Sequence, residues 1–174
     1  MSKVYLIPPL LTDCKELLSF ELENRAFFES HINSRPRDFY SVEGVRTAVE
    51  RALQEASSDK SFQYLVRDAG GRLIGRVNLS RVRRAHFHSA ELGYRIAQSA
   101  CGNGYASAAV QAILNIAFQE LGLVRLEATA RPENFGSSRV LQKNGFLQFG
   151  RSTKSFELAG TWYDLIHYER RADA

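Results

Sequence analysis

The chain has 174 residues, of which 44% are hydrophobic and 24% charged, a balance typical of one ordinary globular domain. No apolar run approaches the roughly 20 residues that a membrane-spanning helix needs, and the first apolar stretch is too short for a signal peptide. Cys14 and Cys101 lie far apart and show no metal-ligand spacing, so neither a disulfide framework nor a metal site is predicted. We therefore expect a single domain over residues 1–174, in the cytoplasm, with no membrane partner.

The first third of the chain predicts a strand, a helix, a loop and a second helix. The apolar run at residues 4–7 is stopped by two prolines, which lack the N–H group that a strand pair needs. Asp13 and Glu16 have the spacing of a capping box ahead of one continuous helix over residues 14–28. Residues 31–40 show no clean periodicity and predict a loop. The second helix is predicted from apolar residues spaced by three and four, namely Val45, Ala48, Val49, Ala52, Leu53 and Ala56.

The middle of the chain predicts three strands. Residues 62–67 and 73–79 flank an Ala-Gly-Gly segment, which is a strong hairpin signal. A connection rich in positive charge follows at residues 81–88, and the next strand is predicted over residues 90–96. Three consecutive strands therefore precede the glycine-rich segment that comes next.

A glycine turn leads from that strand into a long amphipathic helix. Glycine reaches backbone conformations closed to other residues and lets a ligand approach the main chain. The first turn of a helix also leaves several N–H groups without partners, so such a turn can bind phosphate oxygens. The turn and the first residues of the helix are Cys101, Gly102, Asn103, Gly104, Tyr105 and Ala106. The buried face of the helix is predicted from Ala106, Val110, Ile113, Ala117 and Leu121, with Gly122 as its end.

The last third of the chain predicts a strand, a short helix and a final strand pair. Residues 124–130 alternate between apolar and polar side chains, as a half-buried strand does. A short helix is predicted over residues 134–143, with a glycine shortly after it. Residues 146–151 and 162–168 then predict the last two strands.

Three segments in order along the chain resemble one family. The first is the glycine turn, where Cys101, Gly104 and Ala106 fall on a Gln/Arg-x-x-Gly-x-Gly/Ala pattern. The second, Arg-Pro-Glu-Asn-Phe-Gly-Ser at 131–137, leads to Asn-Gly-Phe at 144–146, and the third is Gly-Thr-Trp-Tyr-Asp at 160–164. Together they resemble the GNAT superfamily of acetyl-CoA-dependent N-acetyltransferases, and most closely the ribosomal-protein-alanine branch. Cys101 departs from the pattern, since Gln or Arg is usual there.

This resemblance implies a fold and a cosubstrate. The fold is α/β (α+β), with a single mixed, mostly antiparallel sheet of six to seven strands, flanked by about four helices. Its fourth and fifth strands splay apart, and acetyl-CoA is expected between them. The pantetheine arm is expected to bind along Tyr94, Arg95 and Ile96, and the pyrophosphate on N–H groups of residues 102–106.

The resemblance also implies roles for three polar side chains. Glu91, at the start of the fourth strand, is a candidate for removing a proton from the incoming amine, or it is a solvated carboxylate at a strand end. Ser137 is a candidate for hydrogen bonding to the leaving thiolate, and otherwise belongs to the first turn of its helix. Asn134 is expected to hold the pantetheine amides, although an asparagine just before a helix is also an ordinary cap.

The expected reaction is transfer of an acetyl group to the N-terminal α-amino group of a protein, plausibly a ribosomal protein beginning with Ala or Ser. Two alternatives stay open: acetylation of a small amine, which an acidic acceptor pocket would favour, and a CoA-binding module without catalysis. The acceptor pocket is expected between the first two helices, around residues 35–40, and the final hairpin. The net charge of +4 suits an anionic cosubstrate but predicts no specific nucleic acid, and a homodimer is possible.

Overall fold

The structure is a computed structural model, and it describes residues 2–173. One mixed sheet of seven strands forms its centre, in the order β1-β2-β3-β4-β5-β7-β6. The strands are β1 Val4–Ile7, β2 Phe62–Asp68, β3 Leu73–Arg83, β4 Ser89–Ile96, β5 Arg125–Ala130, β6 Leu147–Leu158 and β7 Thr161–Arg171. The α-helices of this part of the chain are α1 Cys14–Glu23, α2 Arg25–Glu29, α3 Val42–Ser57, α4 Tyr105–Asn115 and α5 Phe135–Lys143. The predicted fold class is confirmed.

The centre of the sheet is split between β4 and β5. These strands run parallel, whereas the other neighbouring strands of the described sheet are antiparallel. Their pairing covers only Ser89–Glu91 against residues 125–127. Beyond Glu91 the edge of β4 has no strand partner on the β5 side, which leaves backbone polar groups available to a ligand. The predicted splay of the fourth and fifth strands is therefore present.

Alternating residues of β4 face opposite sides of the sheet. Tyr94 reaches Ser137 on α5, whereas Arg95 reaches Glu21 on α1. This alternation follows from the two-residue period of an extended strand. The core lies on both faces of the sheet and includes fully buried side chains of β2, β3, α4 and β5, among them Leu65, Val66, Leu79, Ile113 and Leu126. Across residues 2–173, none of the helices combines the length and the apolar character needed to cross a membrane.

The prediction of a single helix over residues 14–28 is wrong, since the chain forms α1 and α2 with a break at Asn24. The Asn24 side chain is buried and bonded at both of its polar atoms. Its Nδ2 donates to the carbonyl oxygen of Phe20 at 2.9 Å, and its Oδ1 accepts from the N–H of Gln98 at 2.9 Å. The second bond ties the break to the turn after β4, a contact 74 residues away that periodicity does not reveal.

Several predicted boundaries also differ. β3 continues to Arg83, into the segment predicted as a connection, across an irregularity where Arg81 has a φ of +50°. The final hairpin is longer than predicted because Ala159 and Gly160, both with positive φ, form a two-residue turn that keeps the two strands paired. α4 continues as a π-helical turn over Ile116–Glu120, in which the N–H of Leu121 donates to the Ile116 oxygen at 2.9 Å.

Candidate active site

A cavity of about 750 Å³ opens where β4 and β5 diverge. Its walls come from those strands, the glycine turn, α5, the final hairpin and the segment around the end of α2. Ten of the twelve predicted site residues line it, namely Tyr94, Arg95, Ile96, Cys101, Gly102, Gly104, Tyr105, Ala106, Asn134 and Ser137. The other two, Glu91 and Asn103, lie outside its wall.

The glycine turn has the backbone conformation that its sequence suggested. Gly102 and Gly104 have φ values of +79° and +78°, and Gly104 directly precedes α4 without a side-chain cap. A Cβ atom at Gly102 would meet nothing within 4 Å, so the space beside the turn is open to a ligand. Because the first N–H groups of α4 lack helical acceptors, the turn provides backbone donors for an anion.

Asn103 and Cys101 stabilise this turn through polar contacts with its backbone. The Asn103 amide donates to the Cys101 oxygen at 3.1 Å, and the Asn103 oxygen accepts from the Ser2 hydroxyl at 2.6 Å. The Cys101 thiol donates to the Ala97 oxygen at 3.4 Å. Partial burial raises the pKa of the Cys101 thiol, which opposes formation of a nucleophilic thiolate.

A hydroxyl pair lies in the wall between β4 and α5. The Tyr94 and Ser137 hydroxyl oxygens are 2.9 Å apart, within hydrogen-bond distance. Burial raises the pKa of Tyr94 to about 12, so its phenol carries a proton at neutral pH. Asn134 accepts from the N–H of Ser137 at 3.1 Å and thereby caps α5. The cap holds the serine at the start of the helix, in the wall of the cavity.

Glu91 pairs with Arg81 at 3.1 Å, and 42% of its side chain is exposed. It lies on β4 before the point at which the strands diverge. Its separation from the cavity predicts that Glu91→Gln changes kcat/KM by less than about threefold, since an exposed surface pair contributes little. The pH profile of kcat/KM for both enzymes checks this expectation. Loss of more than a hundredfold, with a changed acidic limb, would instead establish Glu91 as the base.

The cavity wall only partly matches the segments predicted for an acceptor pocket. Residues 35–40 do not line the cavity, because Arg35 turns inward, donating to Glu21 at 3.1 Å and lying over Phe39 at 4.3 Å. The final hairpin does contribute, through Phe156 and Leu165. The cavity is also lined by Phe27, Phe28, His31, Ile32, Asn78, Arg95, Thr129 and Arg131.

Charge in the cavity wall is of one sign. Among the described residues, no aspartate or glutamate lines the cavity, whereas Arg95, Arg131, Arg139 and Lys143 do. Nor do three metal-ligating side chains cluster anywhere in residues 2–173. The wall therefore favours anionic ligands and offers no carboxylate to a polycation.

The sequence predicts a ligand contact for the backbone of Arg95 but no role for its side chain. It lies beside Glu21, a buried carboxylate on the inner face of α1. The signal for this cluster was present, because Glu21 follows Leu17 by four residues and so shares the apolar stripe of its helix. A carboxylate on a buried stripe requires a cationic partner, but the pattern does not say which one.

The acetyltransferase (GNAT) domain family matches residues 3–147, which is most of the chain. The chain belongs to the GNAT acetyltransferase family. It is thus an N-acetyltransferase, and both the predicted family and the predicted enzyme class are confirmed.

Its similarity to individual GNAT proteins extends over nearly the full length. It is 36% identical over 162 residues to the "Probable N-acetyltransferase YjcK" of Bacillus subtilis, covering 92% of this chain and 90% of that protein. The ribosomal-protein-serine acetyltransferase of Escherichia coli is 27% identical over 162 residues, with 92% and 88% covered.

Among solved structures, RimJ of Mycobacterium smegmatis in complex with CoA-disulfide has a TM-score of 0.90 at 26% identity, covering 97% of this chain and 82% of that one. The ribosomal-protein-S5-alanine acetyltransferase of Vibrio fischeri has a TM-score of 0.91 at 25% identity, covering 99% and 97%. The fold of this GNAT chain and the fold of its relatives are therefore the same.

Proposed function

We propose that this GNAT enzyme transfers an acetyl group from acetyl-CoA to the N-terminal α-amino group of a protein, with ribosomal proteins as the favoured acceptors. The observation that carries the proposal is the cavity at the divergence of β4 and β5, which joins a backbone anion cradle, a hydroxyl pair and a carboxylate-free wall. The names of the ribosomal-protein acetyltransferases among its relatives support the acceptor class.

The walls of the cavity offer groups suited to the phosphates and to the pantetheine arm of acetyl-CoA. The pyrophosphate would accept hydrogen bonds from N–H groups of residues 102–106, where the two glycines open the backbone. Arg139 and Lys143 add positive charge for the phosphates. The pantetheine arm would pair with the β4 backbone at residues 94–96. Because Oδ1 of Asn134 caps α5, a contact of that side chain with pantetheine would use its Nδ2 donors.

The hydroxyl pair can stabilise the leaving group of the transfer. If the Tyr94 O–H donates to Oγ of Ser137, the Ser137 O–H is free to donate to the sulfur atom. The acceptor nitrogen forms a bond to the acetyl carbon as the carbon–sulfur bond breaks. The serine hydroxyl then donates to the thiolate, while the proton lost by the nitrogen passes to water and finally to the thiolate. Backbone N–H groups of β4 would bind the oxyanion.

An α-amino group suits a cavity without a carboxylate base. Its ordinary pKa is about 7.7–8.0, against about 10.4 for a lysine side chain, so a sizeable fraction is neutral near pH 7.5. A neutral amine attacks without prior proton removal. A polyamine would find no acidic residue in the described cavity wall, so the small-amine alternative loses the feature that would favour it.

Product analysis with peptide acceptors tests the proposal. The enzyme is incubated with acetyl-CoA and short peptides beginning with Ala or Ser, and products are measured by thiol release and mass spectrometry. We expect one acetyl group per peptide, on the α-amino nitrogen, and no reaction with the same peptides blocked at the N-terminus. Reaction only with polyamines, aminoglycosides or amino acids would contradict the proposed acceptor. CoA binding without any turnover would contradict catalysis.

A further inference from the structure

A buried carboxylate on α1 is surrounded by more positive charge than it can neutralise. Only 2% of the Glu21 surface is exposed. Its carboxylate lies 2.7 Å from Nη1 of Arg76, 3.1 Å from Nη2 of Arg35 and 3.7 Å from Nη1 of Arg95. Burial opposes ionisation of Glu21, but the charges of the three arginines outweigh it and hold the pKa of this carboxyl below its ordinary value. One negative charge therefore faces three positive ones.

The three guanidinium groups are not equivalent. Arg76 donates to both Glu21 and Gln63, at 2.7 and 3.0 Å. Arg35 donates to Glu21 and lies over an aromatic ring. Arg95 is beyond hydrogen-bond distance of Glu21, and its side chain donates no hydrogen bond to any residue within 2–173. Of the three, only Arg95 lines the cavity.

The surroundings of Arg95 suit a carboxylate ligand. Its guanidinium lies 5.3 Å from the ring of Phe28, and 27% of its side chain is exposed. Arg131 and His31 line the same side of the cavity, where Arg131 donates to the Ser30 oxygen at 3.2 Å. In this half-buried setting a charge-assisted hydrogen bond is stronger than in open solvent.

The acetyl donor does not account for this charge. Arg95 faces the α1 side of the sheet, whereas Tyr94 faces Ser137 on the α5 side. The cradle for the phosphates lies at the start of α4, where Arg139 and Lys143 also line the cavity. An anion beside Arg95 is therefore better explained by the acceptor than by the acetyl donor.

We propose that Arg95 binds an acidic side chain at one of positions two to four of the acceptor polypeptide. The guanidinium fork takes a carboxylate in a bidentate way, which favours aspartate or glutamate over their amides and over lysine. This inference rests on the proposed function, since it concerns the residues that follow the acetylated amine. It makes Arg95 a specificity-determining residue.

A peptide scan combined with an Arg95 variant tests this role. Peptides beginning with Ala carry Asp or Asn at position two, three or four, and kcat/KM is measured for each one. For the wild type we expect a preference for Asp over Asn of about tenfold to a hundredfold at one of these positions. Arg95→Gln is expected to reduce that preference to less than about threefold. Arg139→Gln is the matched control, expected to weaken acetyl-CoA binding while the preference for Asp persists.

The outcomes separate the inference from the proposed function. Acetylation of Asp and Asn peptides at equal rates at every position overturns the inference and leaves the function intact. A preference that survives in Arg95→Gln also overturns it. Absence of acetylation of every peptide contradicts the function and, with it, the inference. If thermal melting shows that Arg95→Gln is unfolded, Arg95→Lys replaces it, and a reduced preference for Asp is again the supporting result.

Discussion

Replacing Glu21 with glutamine is expected to lower the free energy of unfolding by about 3–5 kcal/mol. The carboxylate is buried and lies within 4 Å of three guanidinium groups, of which that of Arg76 has an exposed fraction of only 15%. A neutral amide leaves these charges close together without a counter-charge. Chemical denaturation of both proteins, at a pH where the wild type is fully folded, measures the difference.

An exposed pair of the same chemistry is the control. Glu50 pairs with Arg46 at 3.2 Å across one turn of α3, and both side chains are more than half exposed. Glu50→Gln is expected to cost about 0.5 kcal/mol or less, because solvent screens such pairs. If the two substitutions destabilise the protein equally, burial of the Glu21 cluster has no energetic consequence and the interpretation is wrong.

The stabilisation by Glu21 should also depend on pH in a defined direction. In the unfolded chain a glutamate titrates near about 4.3, and in the folded protein the pKa of Glu21 is lower. The folded state thus gains stability from this group above the unfolded pKa, and loses it as the pH falls through the folded pKa. The difference between wild type and Glu21→Gln is expected to be constant above about pH 5 and to shrink below about pH 4.

Replacing Ser137 with alanine is expected to lower kcat about a hundredfold with little change in the affinity for CoA. The hydroxyl oxygen lies 2.9 Å from that of Tyr94, and the proposed mechanism uses it when charge develops on the sulfur. The backbone N–H that Asn134 caps is unchanged by this substitution, so the helix should remain folded. Steady-state kinetics and CoA titration of the variant measure the two effects separately.

The neighbouring serine offers a matched control for this prediction. Ser138 is also partly buried on α5, but it does not line the cavity, so Ser138→Ala should retain nearly full activity. Tyr94→Phe should lower kcat less than Ser137→Ala, because it removes the partner that orients the serine rather than the donor itself. Equal activity of Ser137→Ala and the wild type would show that the hydroxyl takes no part in the mechanism.

The strands, the helix over 42–57 and the glycine turn were predictable because their signals are local. A two-residue or a three-to-four-residue apolar period is set by backbone geometry within one element. Gly102 and Gly104 stand where the chain has positive φ, which few other residues adopt. Three motifs in order were then sufficient to predict the GNAT fold and the split sheet.

Only the tertiary structure determined which side chains of these elements contact one another. α1 ends at Asn24, whose side-chain oxygen accepts a hydrogen bond from the N–H of Gln98. Arg35 does not line the cavity because its guanidinium donates to Glu21 instead. Arg95 lies 3.7 Å from the same Glu21 and lines the cavity, while Glu91 on the same strand pairs with Arg81 outside its wall. These contacts depend on ion-pair and hydrogen-bond partners that lie many residues apart along the chain. A local period cannot encode such partners, since they come together only when the sheet and helices are packed.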